Sequence, residues 1–140
     1  MRARRRYVRV GAALLAASLL ALTGTAQAAR QLRAPTKVKV ESLTSNSINA
    51  MILGSVSSPN QDCLPKRKVE VTIIPAKGSP FLFDVARTSD RGGWLAARSL
   101  PDLTVAGPIA KVQAEVLPRT VKLGKKTLAC GGKKVTYEVA

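Results

Sequence analysis

Two cysteines are the residues of this chain whose types and surroundings point most directly to chemistry. Cys63 lies in "QDCLPKRKVEV" and Cys130 in "LACGGKKVTYEV", each shortly before a run that alternates valine with polar residues. A redox-active or metal-binding pair would need C-x-x-C spacing or further ligands, and the sequence supplies neither. In an oxidising compartment an even cysteine count predicts a disulfide, here Cys63 with Cys130. Closing so long a loop stabilises the fold by about 4 kcal/mol in the chain-entropy model.

Export to such a compartment is predicted by the N-terminus, "MRARRRYVRVGAALLAASLLALTGTAQAAR". A head with five arginines is followed by an apolar run over 10–22, which is shorter than the ~20 residues that a membrane-spanning helix needs. Ala26 and Ala28 supply the small-x-small pattern of a cleavage site. We therefore expect a signal peptide over 1–28, no transmembrane segment in the mature chain, and a secreted, extracellular or cell-wall-associated protein. "RRRYVR" loosely resembles a twin-arginine signal, so both the general and the twin-arginine export routes stay open.

The groups that most enzymes use are missing from the sequence. Catalysis near neutral pH needs side chains that change charge or attack there, but the chain contains no histidine and both cysteines belong to the predicted disulfide. The eight carboxylates are scattered and mostly alternate with lysine, with no metal-ligand cluster and no cofactor motif. The sequence predicts a protein that is not an enzyme and binds no cofactor. The alternative is an unrecognised active site, which a deep pocket lined by two carboxylates would favour.

Positive charge is the strongest compositional feature. The formal net charge of +15 includes the five arginines of the predicted signal peptide, so the mature chain carries +10. Because the disulfide would draw the segments after both cysteines together, we expect their basic runs to meet at one end of the fold. The sequence therefore predicts a polyanion-binding site formed by Lys66, Arg67, Lys68, Lys133 and Lys134. The simpler interpretation is a solvated surface that keeps an exported protein soluble.

The elements that position these residues read as strands. Apolar and polar residues alternate with period two between Gly- and Pro-containing turns, and no segment keeps a helical period. The predicted strands cover 36–43, 47–56, 68–74, 81–89, 94–100, 109–117 and 133–139, with a short hairpin around Gly124 within 120–130. In the second strand both faces are apolar, which predicts cover on both sides. We expect an all-β, seven-stranded antiparallel β-sandwich as a single domain over 36–140, preceded by a flexible leader at 29–35.

One turn carries a resemblance to a known fold family. In "TSDRGGW", Thr88, Asp90, Gly93 and Trp94 resemble the T-D-x-x-G-x-aromatic hairpin of prealbumin-like sandwiches, although here the aromatic residue follows the glycine directly. These sandwiches include transthyretin-like and carboxypeptidase regulatory-type domains and the stalk domains of bacterial collagen adhesins. In such a hairpin the aspartate caps the turn and the aromatic side chain enters the core.

A second resemblance covers most of the mature chain. A cysteine before "RKVEV" and a late cysteine before the last strand are similar to small secreted actinobacterial proteins built on this module. Of their P-G-x-Y-x-A-x-V strand only Ala110-Lys111-Val112 is present, without the tyrosine. The resemblance implies a prealbumin-like or Ig-like β-sandwich, in a group whose members mostly have no assigned activity.

Two functional hypotheses follow from these features. The first is a secreted, non-enzymatic module that binds an anionic cell-wall polymer or an envelope protein. The sparse aromatic residues argue against nucleic acid as its partner. The second is a protein-binding factor or inhibitor that presents an exposed loop such as "AKGSP" at 76–80.

Overall fold

The structure is a computed structural model that describes residues 31–100 and 107–140, so the predicted signal peptide lies outside the described residues. The described residues form strands joined by turns and a single 3₁₀ turn at Gln61–Cys63. The strands are β1 (Leu32–Ala34), β2 (Lys37–Ser45), β3 (Asn49–Ser57), β4 (Lys68–Pro75), β5 (Phe81–Arg87), β6 (Gly93–Ser99), β7 (Ile109–Val116), β8 (Arg119–Leu123), β9 (Lys126–Cys130) and β10 (Lys133–Glu138).

These strands form three sheets. One sheet has the antiparallel order β10–β7–β4–β5, and a second has the antiparallel order β2–β3–β6. The third sheet is smaller and has the order β1–β9–β8, with β1 parallel to β9. The all-β, sandwich-like fold is confirmed, but the expected count of seven strands was wrong. β1 lies within the predicted flexible leader, and its three residues are too few to give an alternating pattern. It is held by pairing with a strand far later in the chain, which local sequence does not reveal.

The apolar core lies between the two larger sheets and follows the predicted alternation closely. Val69, Val71 and Ile73 of β4 have no exposed surface, and β4 is paired on both edges. The central strand β3 of the other sheet differs from expectation. Met51 and Leu53 are 42% and 40% exposed, so none of the described residues covers its outer face.

The predicted hairpin of "TSDRGGW" is wrong, although a turn forms there at 89–92. The amide of Gly92 donates to the carbonyl of Ser89 at 3.0 Å, and the φ of Gly92 is +89°, a value that favours glycine. However, β5 pairs with β4 and β6 pairs with β3, so the turn carries the chain from one sheet to the other. The hydroxyl of Ser89 accepts from the amide of Gly93 at 3.2 Å, a capping role that the sequence assigned to Asp90.

Candidate functional site

The predicted disulfide is confirmed. Cys63 and Cys130 are bonded, with their Cα atoms 5.6 Å apart, and both side chains are buried. The bond joins the 3₁₀ turn to the end of β9 and forms a second, smaller apolar cluster with Ala34 and Leu128. This cluster attaches the small sheet to the rest of the protein.

Arg67, expected in the polyanion-binding site, is buried instead, with no exposed surface. The physical reason is strand alternation. Arg67 comes two residues before Val69, and side chains two residues apart on a strand lie on the same face. Since Val69 faces the core, Arg67 faces inward as well. The two-residue spacing between Arg67 and Val69 indicated burial in the sequence, although the surrounding basic run suggested exposure.

The guanidinium of Arg67 is surrounded by neutral oxygen atoms. Its Nη1 donates to the carbonyl of Cys63 at 2.9 Å and to Oγ1 of Thr36 at 3.3 Å. Its Nη2 donates to the carbonyls of Leu117 at 2.7 Å and Gly131 at 2.8 Å. These acceptors belong to four separate segments that meet beside the disulfide. Arg67 is therefore a cross-link between segments and is not available to an external ligand.

No carboxylate of the described residues pairs with this buried charge. Burial, and secondarily the positive charge of Arg119, lower the pKa of Arg67 from its ordinary value. The Nε atoms of Arg67 and Arg119 are buried without a hydrogen-bond partner in the part of the chain that the structure describes. The desolvation of the guanidinium is thus offset by four neutral acceptors, which makes these contacts important for stability.

Two of the four predicted lysines are neutralised by neighbouring carboxylates. Lys68 Nζ lies 3.3 Å from Glu70, and Lys134 Nζ lies 3.3 Å from Glu115. Glu70 and Glu115 are themselves directly opposite each other on β4 and β7. On the outer face of the four-stranded sheet, these two lysines are therefore paired within the protein.

The other two lysines, Lys66 and Lys133, are exposed and make no ion pair with the described residues. The strand order keeps the two basic runs apart. β7 lies between β10, which carries Lys133, and β4, which follows Lys66, and two strand spacings correspond to about 10 Å. The disulfide does bring both runs to one end of the protein, but it does not bring the five residues into one cluster.

The adjacent carboxylates of Glu70 and Glu115 do not line a pocket. Their side chains are 34% and 41% exposed on an open sheet face, and each is paired with a lysine. A depression of about 450 Å³ lies elsewhere, between the ends of β2, β3 and β6, and another of about 410 Å³ lies beside Pro35 and Lys37. No Asp or Glu of residues 31–100 and 107–140 lines either depression.

A stronger basic surface, which the sequence interpretation missed, lies on the small sheet. Its strands and the turn between β8 and β9 carry five basic residues and no acidic one, and the ion pairs of the described residues all lie on the larger sheets. The basic residues are Arg33, Arg119, Lys122, Lys125 and Lys126. A signal was present in the sequence, because six basic residues and no acidic one occur between Glu115 and Glu138.

The hairpin at the centre of this surface has the predicted position. β8 and β9 pair in antiparallel register from Arg119 opposite Cys130 to Leu123 opposite Lys126. Gly124, in the turn, has a φ of +61°. Lys122, Lys125 and Lys126 are exposed along this hairpin, whereas the Nη2 of Arg119 donates to the carbonyl of Asp62 at 3.3 Å. Three lysines therefore project from a short, disulfide-anchored hairpin.

Compared with known protein families, curated proteins and solved structures, the chain has no match. Within residues 31–100 and 107–140, no helix is long and apolar enough to cross a membrane. The basic surface of the small sheet is the feature on which a functional assignment can be built.

Proposed function

We propose that this protein is a secreted, non-enzymatic β-sandwich module that binds an anionic polymer of the cell envelope. The observation that carries the proposal is the segregation of charge. The small sheet presents basic side chains without any acidic neighbour on the same sheet, while Lys68, Lys111 and Lys134 of the four-stranded sheet each pair with a carboxylate. A cationic surface free of internal ion pairs attracts polyanions because no intramolecular partner competes for its charge.

The proposed compartment is supported by two features. The N-terminal sequence has the three parts of a secretory signal peptide, and the fold contains a buried disulfide, which is typical of exported proteins. The prealbumin-like assignment is likewise part of the proposal. Its support is the pair of larger antiparallel sheets and the "TSDRGGW" turn, which is followed by the buried side chain of Trp94.

The aromatic residues favour a polymer that is recognised by charge alone. Sequence-tolerant binding of single-stranded nucleic acid depends on bases stacking on accessible aromatic rings. In the described part of the chain, Phe83 and Trp94 are buried, and Phe81 and Tyr137 are half-buried. The proposed ligand is therefore an anionic wall polymer, and nucleic acid is disfavoured.

Retention on an immobilised polyanion tests the proposal. The column should retain the mature chain more strongly at low salt than at high salt, because exposed charges are screened over ~8–10 Å at physiological ionic strength. The triple variant K122Q/K125Q/K126Q should elute at clearly lower salt. The matched control K37Q/K39Q/K77Q removes the same charge from exposed positions outside the small sheet and should change retention less. If both triple variants lose retention equally, or if retention does not respond to salt, the proposal is wrong and the positive charge serves solubility only.

A second candidate function rests on the loop at 76–80. All five of its residues are exposed, and its first residue is fixed by a hydrogen bond from the amide of Ala76 to the carbonyl of Pro108 at 2.8 Å. Inhibitors and protein-binding factors contact their target proteins through exposed loops of this kind, which are held at the base. Capture of one secreted or envelope protein by the mature chain, abolished by K77E and unaffected by K122Q/K125Q/K126Q, would favour this function over polymer binding.

A further inference from the structure

The small sheet has two chemically different faces, and its register assigns each residue to one of them. Leu128 and Val121 pair with each other and belong to the disulfide cluster, and the register places the exposed Leu32 beside Leu128 on the same face. Side chains alternate along each strand, so their sequence neighbours lie on the opposite, outer face. That outer face is solvent-accessible and carries no residue of the apolar cluster.

The outer face groups four hydrogen-bond donors around one small residue. Arg33 on β1 and Thr120 on β8 lie on either side of Ala129 in one row of the sheet. Thr127 and Lys122 form the next row on this face. Neighbouring strands are about 4.8 Å apart and rows on one face are about 7 Å apart, so the four side chains surround a patch roughly 10 Å wide.

The residue types on this face determine which kind of ligand it can bind. Arginine and lysine donate hydrogen bonds without accepting them, and the threonine hydroxyls can donate as well. The strands of this sheet carry no carboxylate and no aromatic residue, and the methyl group of Ala129 allows a ligand to approach the sheet closely. The face therefore suits an anionic group with several acceptor oxygens and offers nothing on which a ring could stack.

Resting on the proposed function, we infer that the outer face of the small sheet binds the phosphodiester groups of an extended wall polymer, with Arg33 and Lys122 contacting phosphates and Thr120 and Thr127 donating to their free oxygens. The donors project from three neighbouring strands and reach an anion from different sides. A tetrahedral phosphate, with oxygens in several directions, matches this arrangement better than a planar carboxylate. The polymer lies across the strands, because the two cations are on the outer strands β1 and β8.

Two soluble polymers, synthetic poly(glycerol phosphate) and poly-glutamate of similar length, test this inference by titration calorimetry with the mature chain. We expect tighter binding of poly(glycerol phosphate). In R33Q/K122Q its affinity should fall about tenfold, and the slope of log affinity against log salt should decrease by about 1.5, as for two lost phosphate contacts. The matched control K125Q/K126Q removes the same charge from the adjacent turn and should lower affinity less.

The uncharged variant T120V/T127V separates hydrogen bonding to phosphate from general attraction. It should weaken binding of poly(glycerol phosphate) severalfold and leave binding of poly-glutamate unchanged, with an unaltered thermal midpoint as proof of folding. Equal affinity for both polymers in every variant would overturn the phosphodiester assignment while the proposed polyanion function stood. Stronger binding to phosphatidylglycerol vesicles than to poly(glycerol phosphate) would overturn it in favour of a lipid surface. Salt-insensitive binding, or none, would overturn the proposed function itself.

Discussion

Inside the protein, Nη1 of Arg67 donates a hydrogen bond to the carbonyl oxygen of Cys63 at 2.9 Å. Nη2 of the same guanidinium donates to the carbonyl of Gly131, the residue after Cys130. The buried arginine and the disulfide therefore hold the same two segments, one by hydrogen bonds and the other covalently. Arg67 and the disulfide are adjacent, so loss of either should destabilise the same part of the fold.

Replacement of Arg67 by methionine, which has a similar length and no donors, should be strongly destabilising. It would leave buried carbonyl groups without partners, at a cost of about 3–5 kcal/mol by analogy with broken buried ion pairs and hydrogen bonds. Urea denaturation of the mature chain measures this loss. The neighbouring Lys66→Gln is the control and should change stability by less than about 0.5 kcal/mol, since Lys66 is exposed. Similar stability of the two variants would contradict the structural role of Arg67.

Loss of either cysteine should have the same effect, because each substitution removes the same cross-link. Cys63→Ser and Cys130→Ser should each lower stability by about 4 kcal/mol. Thermal melts followed by circular dichroism compare them, with the reduced wild-type chain as a third sample. Recovery of both cysteines as free thiols in non-reducing peptide mapping of the native protein would refute the disulfide.

Gly54 and Trp94 test the packing of the three-stranded sheet. They are cross-strand partners on β3 and β6, and a Cβ atom on Gly54 would collide with the indole ring and with the carbonyl of Lys39. Gly54→Ala should therefore destabilise the protein by about 1–3 kcal/mol, the usual range for overpacking. The control Gly93→Ala lies on the same strand as Trp94, and its added Cβ would meet only the hydroxyl of Ser89 at 3.5 Å. Equal tolerance of both substitutions would argue against this packing.

Trp94 itself is only 3% exposed, as the "TSDRGGW" resemblance led us to expect. Trp94→Ala should cost about 3–5 kcal/mol, the range for removing a large buried aromatic side chain. In the native protein its fluorescence maximum should lie at short wavelength and shift to longer wavelength on unfolding. A maximum typical of water before unfolding would place the ring outside the core.

Processing of the N-terminus can be checked directly. Mass spectrometry of the protein from culture supernatant should show a chain that begins at or near Ala29, because Ala26 and Ala28 satisfy signal peptidase. Recovery of full-length protein from membranes alone would contradict a cleaved signal peptide.

The sequence predicted those features that depend on local alternation or on a unique pairing. Val69 and Val71 have the orientation that period-two alternation requires, and with two cysteines only one intramolecular disulfide can form. Features that depend on strand order were not accessible. The position of β7 between β4 and β10, which separates the two basic runs, is set by long-range pairing, and so is the parallel contact of β1 with β9.

Arg67 shows where two local signals conflict. Its place between Lys66 and Lys68 suggested a solvated charge, whereas its spacing from Val69 indicated the inner face. The spacing decided the outcome. The amide of Thr88 donates to the carbonyl of Arg67 at 3.0 Å, which continues the pairing of Lys68 with Arg87 by one residue, so the alternation of β4 extends back to Arg67. The sequence also shows that no acidic residue occurs between Glu115 and Glu138. That this segment contributes to a basic surface could not be predicted, because it depends on three strands forming a separate sheet.

The position of the disulfide also has a mechanical consequence. The lysine-bearing hairpin ends at Cys130, and this residue is covalently joined to Cys63, which lies just ahead of the central strand β4. Under the proposed function, a pull that a bound polymer exerts on the hairpin would be transmitted to β4 through this covalent bond. Without that bond the covalent connection of the hairpin to the larger sheets would run only through the backbone into β7 and β10. The disulfide thus links the proposed binding hairpin covalently to an inner strand of the four-stranded sheet.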